Sequence, residues 1–145
     1  MARQGFGHIV NTASLAGLIG FPTAAPYSAA KHAVVGLSTA LRVEAAHFGV
    51  KVSVVCPGYV ATNFYNAATV LKADRDKLFA GRGPRFMPPQ KAARAILRGV
   101  RQNRMIIAFP FRARALWWCY RLYPSLLAGL GRKIVADFRA AGKNV

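Results

Sequence analysis

The strongest constraint on this chain is a spacing. A run rich in β-branched residues at 50–56 (VKVSVVC) follows a long helical pattern by a minimal turn, and that pattern follows a short apolar run at 8–13. Strand, helix and strand at this length make a βαβ unit, which implies a parallel sheet with a right-handed crossover. The first strand is expected to be short and buried, with Ile9 and Val10 at its centre, Ser14 at its C-terminal end and a glycine-punctuated loop at 16–22. The helix is predicted over 24–48, with Thr23 as N-cap and Pro26 tolerated in its first turn. Ala30, Val34, Leu37, Leu41, Ala45 and Phe48 recur at three- and four-residue spacing and are expected to form its buried face. Gly49 suits its termination, and Pro57-Gly58 stops the second strand.

Beyond that unit, 59–89 mixes apolar and charged residues before a loop rich in Gly and Pro, and is expected to be a partly helical, mobile lid. A second helix is predicted over 90–103. Ala93, Ile96, Leu97 and Val100 would be buried, with Arg94, Arg98 and Arg101 on the other side. A third strand is expected at 105–109. The fold class is therefore α/β, part of a doubly wound parallel sheet, over 1–110. A helical basic and aromatic extension would occupy 111–145, where Trp117, Trp118, Tyr120 and Tyr123 stand among Arg112, Arg114 and Arg121.

Ser14 ends a strand, and Tyr27 and Lys31 lie four apart at the start of the long helix, so they share a face. In parallel α/β sheets, ligands bind beyond the C-terminal ends of the strands, where all three residues belong. A phenol is too weak an acid to shuttle protons well near neutrality. A neighbouring ammonium stabilises the phenolate, and Lys31 could supply that charge. A hydroxyl such as that of Ser14 can donate to a carbonyl on which negative charge develops during hydride transfer.

The runs Asn11-Thr12-Ala13-Ser14, Tyr27-Ser28-Ala29-Ala30-Lys31 and Pro57-Gly58-Tyr59-Val60-Ala61-Thr62 resemble, in order and spacing, the later half of the short-chain dehydrogenase/reductase family. The resemblance implies NAD(P)-dependent hydride transfer between an alcohol and a ketone. Tyr27 would be the general acid/base. Lys31 would support it and hold the nicotinamide ribose, and Ser14 would polarise the substrate carbonyl. Pro57, Gly58 and Val60 would pass along the nicotinamide, and Thr62 would bind its carboxamide or the pyrophosphate region. The segment 63–88 would be the substrate loop, where Phe64, Tyr65, Phe79 and Phe86 hint at an apolar substrate. The 24–48 helix would join subunits of a homo-oligomer, with Gly36 permitting close approach.

The family's glycine-rich dinucleotide loop does not occur in these residues. Gly5-Phe6-Gly7 is not one, because a strand and not a helix follows it. The family's Asn-Asn-Ala-Gly strand end is missing, as is the helix bearing its catalytic Asn; Asn11 belongs instead to the Ser14 strand. The residue that selects NAD or NADP is missing too, so that choice stays open. The expectation is a chain that starts in mid-fold: a fragment with an uncovered sheet face and edge, inactive as a dehydrogenase by itself.

Charge supports a rival reading. The 145 residues hold 21 Lys and Arg against 4 acids, a net charge of +17. Such a surface suits an anionic membrane, a nucleic acid or an anionic cofactor. With Leu116, Trp117, Leu122, Leu126 and Leu127 in the tail, a membrane surface or protein contact by a non-catalytic remnant is the alternative, and nucleic acid is disfavoured. The blander expectation is that the tail packs its aromatics on the domain or on a partner subunit. Two isolated cysteines and no signal peptide or long apolar span suggest a cytoplasmic protein, associated with a membrane at most through the tail. Cys56 reads as a buried hydrophobe. His8, His32 and His47 show no metal-ligand spacing and are expected to be structural or solvent-facing.

Overall fold

The computed structural model describes residues 1–64 and 86–140. A 3-10 turn (Ala2–Gln4) leads into β1 (Gly7–Thr12), and a second 3-10 turn (Leu15–Gly17) leads to α1 (Ala25–Ala46). β2 (Val50–Pro57), α2 (Pro89–Arg101), β3 (Ile106–Phe109), α3 (Phe111–Leu122) and α4 (Leu126–Ala140) follow. The strands stand in the order β1-β2-β3, and both pairs are parallel. Gly7 pairs with Val50 at one end of the first pair and Thr12 with Val55 at the other; Val54 pairs with Ile106 in the second.

β2 is the centre because both its faces are covered. Val52 and Val54 are packed with α1 residues on one face, while Val55 joins Ala92, Ile107 and Phe109 on the α2 face. Val52, Val54 and Cys56 are fully buried, and each buried valine contributes about 1.5–3 kcal/mol. Helices on both faces of a parallel sheet explain why β2 reads as a continuous apolar run. β1 is an edge strand among the described residues. Its Val10 is 39% exposed, because α2 packs over β2 and β3 and not over β1.

Besides the exposed Val10 of a strand expected to be buried, several details differ from the sequence expectation. Thr23 does not cap α1. Its backbone is left-handed at φ 69°, and Ala24 is the N-cap with no side-chain bond. The incoming loop is held instead by buried Ser28, whose Oγ accepts from the Phe21 N–H at 3.1 Å. The buried face of α1 is also rotated. Ser28, Ser38 and Ala45 are buried and Val34, Val35 and Leu41 half-buried, whereas Ala30, Leu37 and Phe48 are exposed. Ser38 tolerates complete burial because its Oγ donates to Val34 O and accepts from Asn11 Nδ2 of β1. In α2, likewise, Ala92 and Gly99 are buried with Ile96 and Val100 half-buried, while Ala93 and Leu97 face out. A Cβ at Gly99 would lie 2.7 Å from Ile107, so small residues set the helix close to β3. Satisfied polar groups in α1 and small residues packed against Ile107 in α2, rather than the largest apolar side chains, chose the inward face.

Gly36 faces open space with nothing within 4 Å of an added Cβ, so it permits no close approach among the described residues. Gly49 does carry its turn. It has φ 67°, and a Cβ there would collide with the Gly5 carbonyl at 2.1 Å. At the same end of the sheet Arg42 reaches from α1 to Asn103, donating to Asn103 O at 2.9 Å and to Oδ1 at 3.1 Å.

Candidate active site

The C-terminal edge of the sheet gathers the residues singled out from the sequence. Ala13 continues the ladder past β1, its N–H donating to Val55 O at 2.8 Å. Ser14 follows as N-cap of the 3-10 turn Leu15–Gly17, its Oγ accepting from Ala16 N at 3.1 Å. That bond occupies a lone pair and leaves the hydroxyl proton without an acceptor among the described residues, free to donate.

Tyr27 lies in the first turn of α1, and Lys31 is one turn on. The Lys31 ammonium donates to Thr12 O at the end of β1 at 3.1 Å, and stands 5.8 Å from the centre of the Tyr27 ring. The helix therefore reaches back to the strand that presents Ser14. Gly17 makes this possible: a Cβ there would lie 2.5 Å from Lys31 O, so the turn after Ser14 rests directly on the α1 backbone. Tyr27 also leans on Phe64, with ring centres 5.9 Å apart.

Pro57 ends β2 at the same edge, Gly58 and Val60 follow it, and all three are half-buried. Gly58 N–H donates to Phe109 O at 2.7 Å, and a Cβ there would press on Ala113 at 3.1 Å. Val60 forms a bridge with Met87, drawing together the two sides of the 65–85 segment. Thr62 is exposed, and its Oγ1 accepts from Phe64 N at 3.4 Å. Most of the expected substrate loop, with Tyr65 and Phe79, lies outside the described residues.

Sequence reasoning missed the Thr12 carbonyl, Gly17 and Ser28 as parts of this constellation, and placed Phe64 in the substrate loop without its contact to Tyr27. Ser28 stood within the quoted Tyr-Ser-Ala-Ala-Lys run, but nothing in a one-dimensional pattern shows that it fastens a loop seven residues upstream. Cys56 lies beneath the site. Burial pushes its thiol up to about 12, against a smaller downward pull from a backbone hydrogen bond with Ser14. It is therefore not a thiolate near neutrality and serves as packing, whereas Cys119 is exposed. His8, whose ring is 2.8 Å from Ser53 Oγ, is half-buried in a structural polar network; Ser53 Oγ in turn donates to Arg104 O. No cluster of His, Cys, Asp and Glu among the described residues could hold a metal ion, and no described helix is long and apolar enough to cross a membrane.

A parallel α/β sheet with its candidate site residues beyond the strand ends defines a broad class of fold; three comparisons narrow it. The family described as short chain dehydrogenase matches residues 1–70. The Dehydrogenase/reductase SDR family protein 7-like of Anopheles gambiae is 33% identical over 135 residues, covering 92% of this chain and 42% of that protein. Among solved structures, a short chain dehydrogenase/reductase of Burkholderia phymatum in complex with NAD superposes with a TM-score of 0.68 at 28% identity, covering 87% of this chain and 51% of that one. A short chain dehydrogenase of Burkholderia cenocepacia in complex with NADP shares the fold, with a TM-score of 0.70 at 19% identity, covering 89% and 48%. The chain belongs to the short-chain dehydrogenase/reductase family. It spans about a quarter to a half of the length of the curated relatives it matches, from 24% to 51%.

Proposed function

We propose that the protein is an oxidoreductase that moves hydride between a nicotinamide cofactor, NAD or NADP, and the carbon of an alcohol or carbonyl substrate. The observation that carries this reading is the tether of Lys31 to Thr12 O beside the Tyr27 ring, at the strand end that presents Ser14. These residues suit the cofactor's ribose end. An ammonium has three donors, and Thr12 O takes one, which leaves two for ribose hydroxyls. Bound cofactor would supply the hydride donor or acceptor. Lys31 places a positive charge 5.8 Å from the centre of the Tyr27 ring. In reduction, Tyr27 gives its proton to the substrate oxygen as the carbon becomes tetrahedral; in oxidation it takes that proton back. Ser14, with its oxygen engaged by Ala16 N and its proton free, donates to the same oxygen and stabilises developing negative charge. Pro57, Gly58 and Val60 flank the nicotinamide, and Thr62 binds its carboxamide or the pyrophosphate region. A glycine-rich dinucleotide loop is not among these 145 residues, so a polypeptide limited to them is inactive.

The test is turnover of NADH or NADPH with a panel of ketones, followed by nicotinamide absorbance, in protein that joins this chain to a dinucleotide-binding strand–turn–helix. Activity that survives in the Tyr27→Phe and Lys31→Ala variants refutes the assignment.

A second reading concerns association. Phe111, Trp118 and Leu122 are 76%, 49% and 65% exposed. They lie on one side of α3, flanked by Arg114 and Arg121, and the helix holds no acid. This pattern supports contact with an anionic membrane surface, and absence of co-sedimentation with phosphatidylglycerol vesicles at low salt removes it. Exposed Leu37 and Val43 on α1 support homo-oligomerisation through that helix, which sedimentation velocity tests.

A further inference from the structure

A cleft of about 570 Å³ lies outside the constellation just described, between the loop that joins Ser14 to Tyr27 and the last two helices. One wall is Ile19, Phe21 and Pro22. The other comes from Leu116 of α3 and from Ile134 and Val135 of α4. Its size falls within the range of small-molecule sites, about 300–1,000 Å³, and these walls are apolar. Among the described residues, its only charged lining residues are Arg132 and Arg139. They stand seven residues apart on α4, two helical turns, and so on one side of it. Among the described residues neither guanidinium has a hydrogen-bond or ion-pair partner, and no acid lines the cleft.

An apolar trough edged by two guanidinium groups is complementary to one kind of small molecule. We propose that this cleft binds a long-chain carboxylate, with the alkyl chain along Ile19, Phe21, Leu116 and Val135 and the carboxylate at Arg132 and Arg139. The chain supplies apolar area for burial, and the guanidinium fork matches a carboxylate in geometry as well as charge. The loop wall is also anchored to the active helix, since Phe21 N–H donates to Ser28 Oγ next to Tyr27. The inference therefore deepens the oxidoreductase reading and rests on it for its consequence: the substrate, or a product-like ligand, is an amphiphile with an anionic end.

The experiment is a titration of the purified protein with cis-parinaric acid, which fluoresces on entering an apolar site, and with its methyl ester, both without nicotinamide cofactor. The acid should bind about tenfold more tightly than the ester, the worth of one good charge-assisted contact. The double variant Arg132→Gln/Arg139→Gln should bring the acid to the affinity of the ester and leave the ester unchanged. Val135→Trp, which fills the trough, should weaken both while far-ultraviolet circular dichroism stays as in the parent. Equal affinity for acid and ester overturns the proposal, as does undiminished binding of the acid by the double arginine variant. A fluorescence rise that requires phosphatidylglycerol vesicles assigns the arginines to a membrane surface and overturns it as well. Tyr27→Phe should bind the probe as the parent does. In protein that joins this chain to a dinucleotide-binding strand–turn–helix, probe binding without turnover thus defeats the oxidoreductase reading alone, and turnover without probe binding defeats this site alone.

Discussion

The β1–α1–β2 unit and the pair α3–α4 are both apolar and basic in sequence, yet they are held in different ways. In the first, buried valines, a strand ladder and side-chain bonds from Ser28, Lys31 and Ser38 fix the backbone from several directions. In the second, one side packs, with Leu116, Trp117 and Tyr120 against Leu15 and Ile19, and the other side leaves Phe111, Trp118, Leu122 and Tyr123 exposed. The difference teaches where precision is required. Groups that exchange a proton within hydrogen-bond reach need over-determined positions, whereas a trough or a surface that takes an alkyl chain needs only shape and charge.

The comparison is sharpened most by Tyr27→Phe. It removes one hydroxyl and should cut turnover by about 10²–10⁴-fold with little change in thermal midpoint, as steady-state kinetics and a melting curve would show. A modest loss would mean that the first unit is not the reactive one. Next is Gly17→Val. Its new side chain meets the Lys31 carbonyl, so it should cost about 1–3 kcal/mol in denaturant unfolding and also lower turnover by shifting α1 away from Ser14. A neutral result would show that the turn does not rest on the helix.

A smaller effect is expected from acid. The His8 imidazole is held below its ordinary value near 6.5, first by burial and then by the positive charges of Lys51 and Arg42. A base so depressed is neutral in the fold and takes up a proton more readily when unfolded. Its contribution to stability is therefore intact above about pH 6.5 and is lost as pH falls from there. His8→Gln should flatten that decline in a series of unfolding curves. The smallest effect belongs to α3. Trp118→Ser at its exposed side should change stability by less than about 0.5 kcal/mol. A larger loss would show that the second region is held as tightly as the first.

Much of the first unit was legible because its signals are local. Strand, helix and strand follow from β-branched runs and from periodicity, and the Tyr27–Lys31 pair follows from one helical turn. The helix ends fall within two residues of expectation, at Ala25 and Ala46 against 24 and 48. The inward faces were not legible. Leu37 and Leu97 carry the strongest local apolar signal and both are exposed, at 62% and 56%. The side that goes inward is decided by which surface lets a partner approach closely, the α1 backbone at Gly17 and the Ile107 side chain at Gly99, and that depends on a partner distant in sequence.

By itself, then, the sequence determined the parallel α/β class, the order of its elements and the residue types at the strand ends, because propensity and period act over a few neighbours. The tertiary structure alone decided that Lys31 reaches back to Thr12 O, that Ser28 and not Thr23 secures the entry to α1, and that Arg132 and Arg139 edge an apolar trough beside the loop leading to Tyr27. Each of these joins residues 7 to more than 100 positions apart. Such contacts exist only after the chain has packed, since burial and hydrogen-bond satisfaction are properties of the whole fold and not of any window along it.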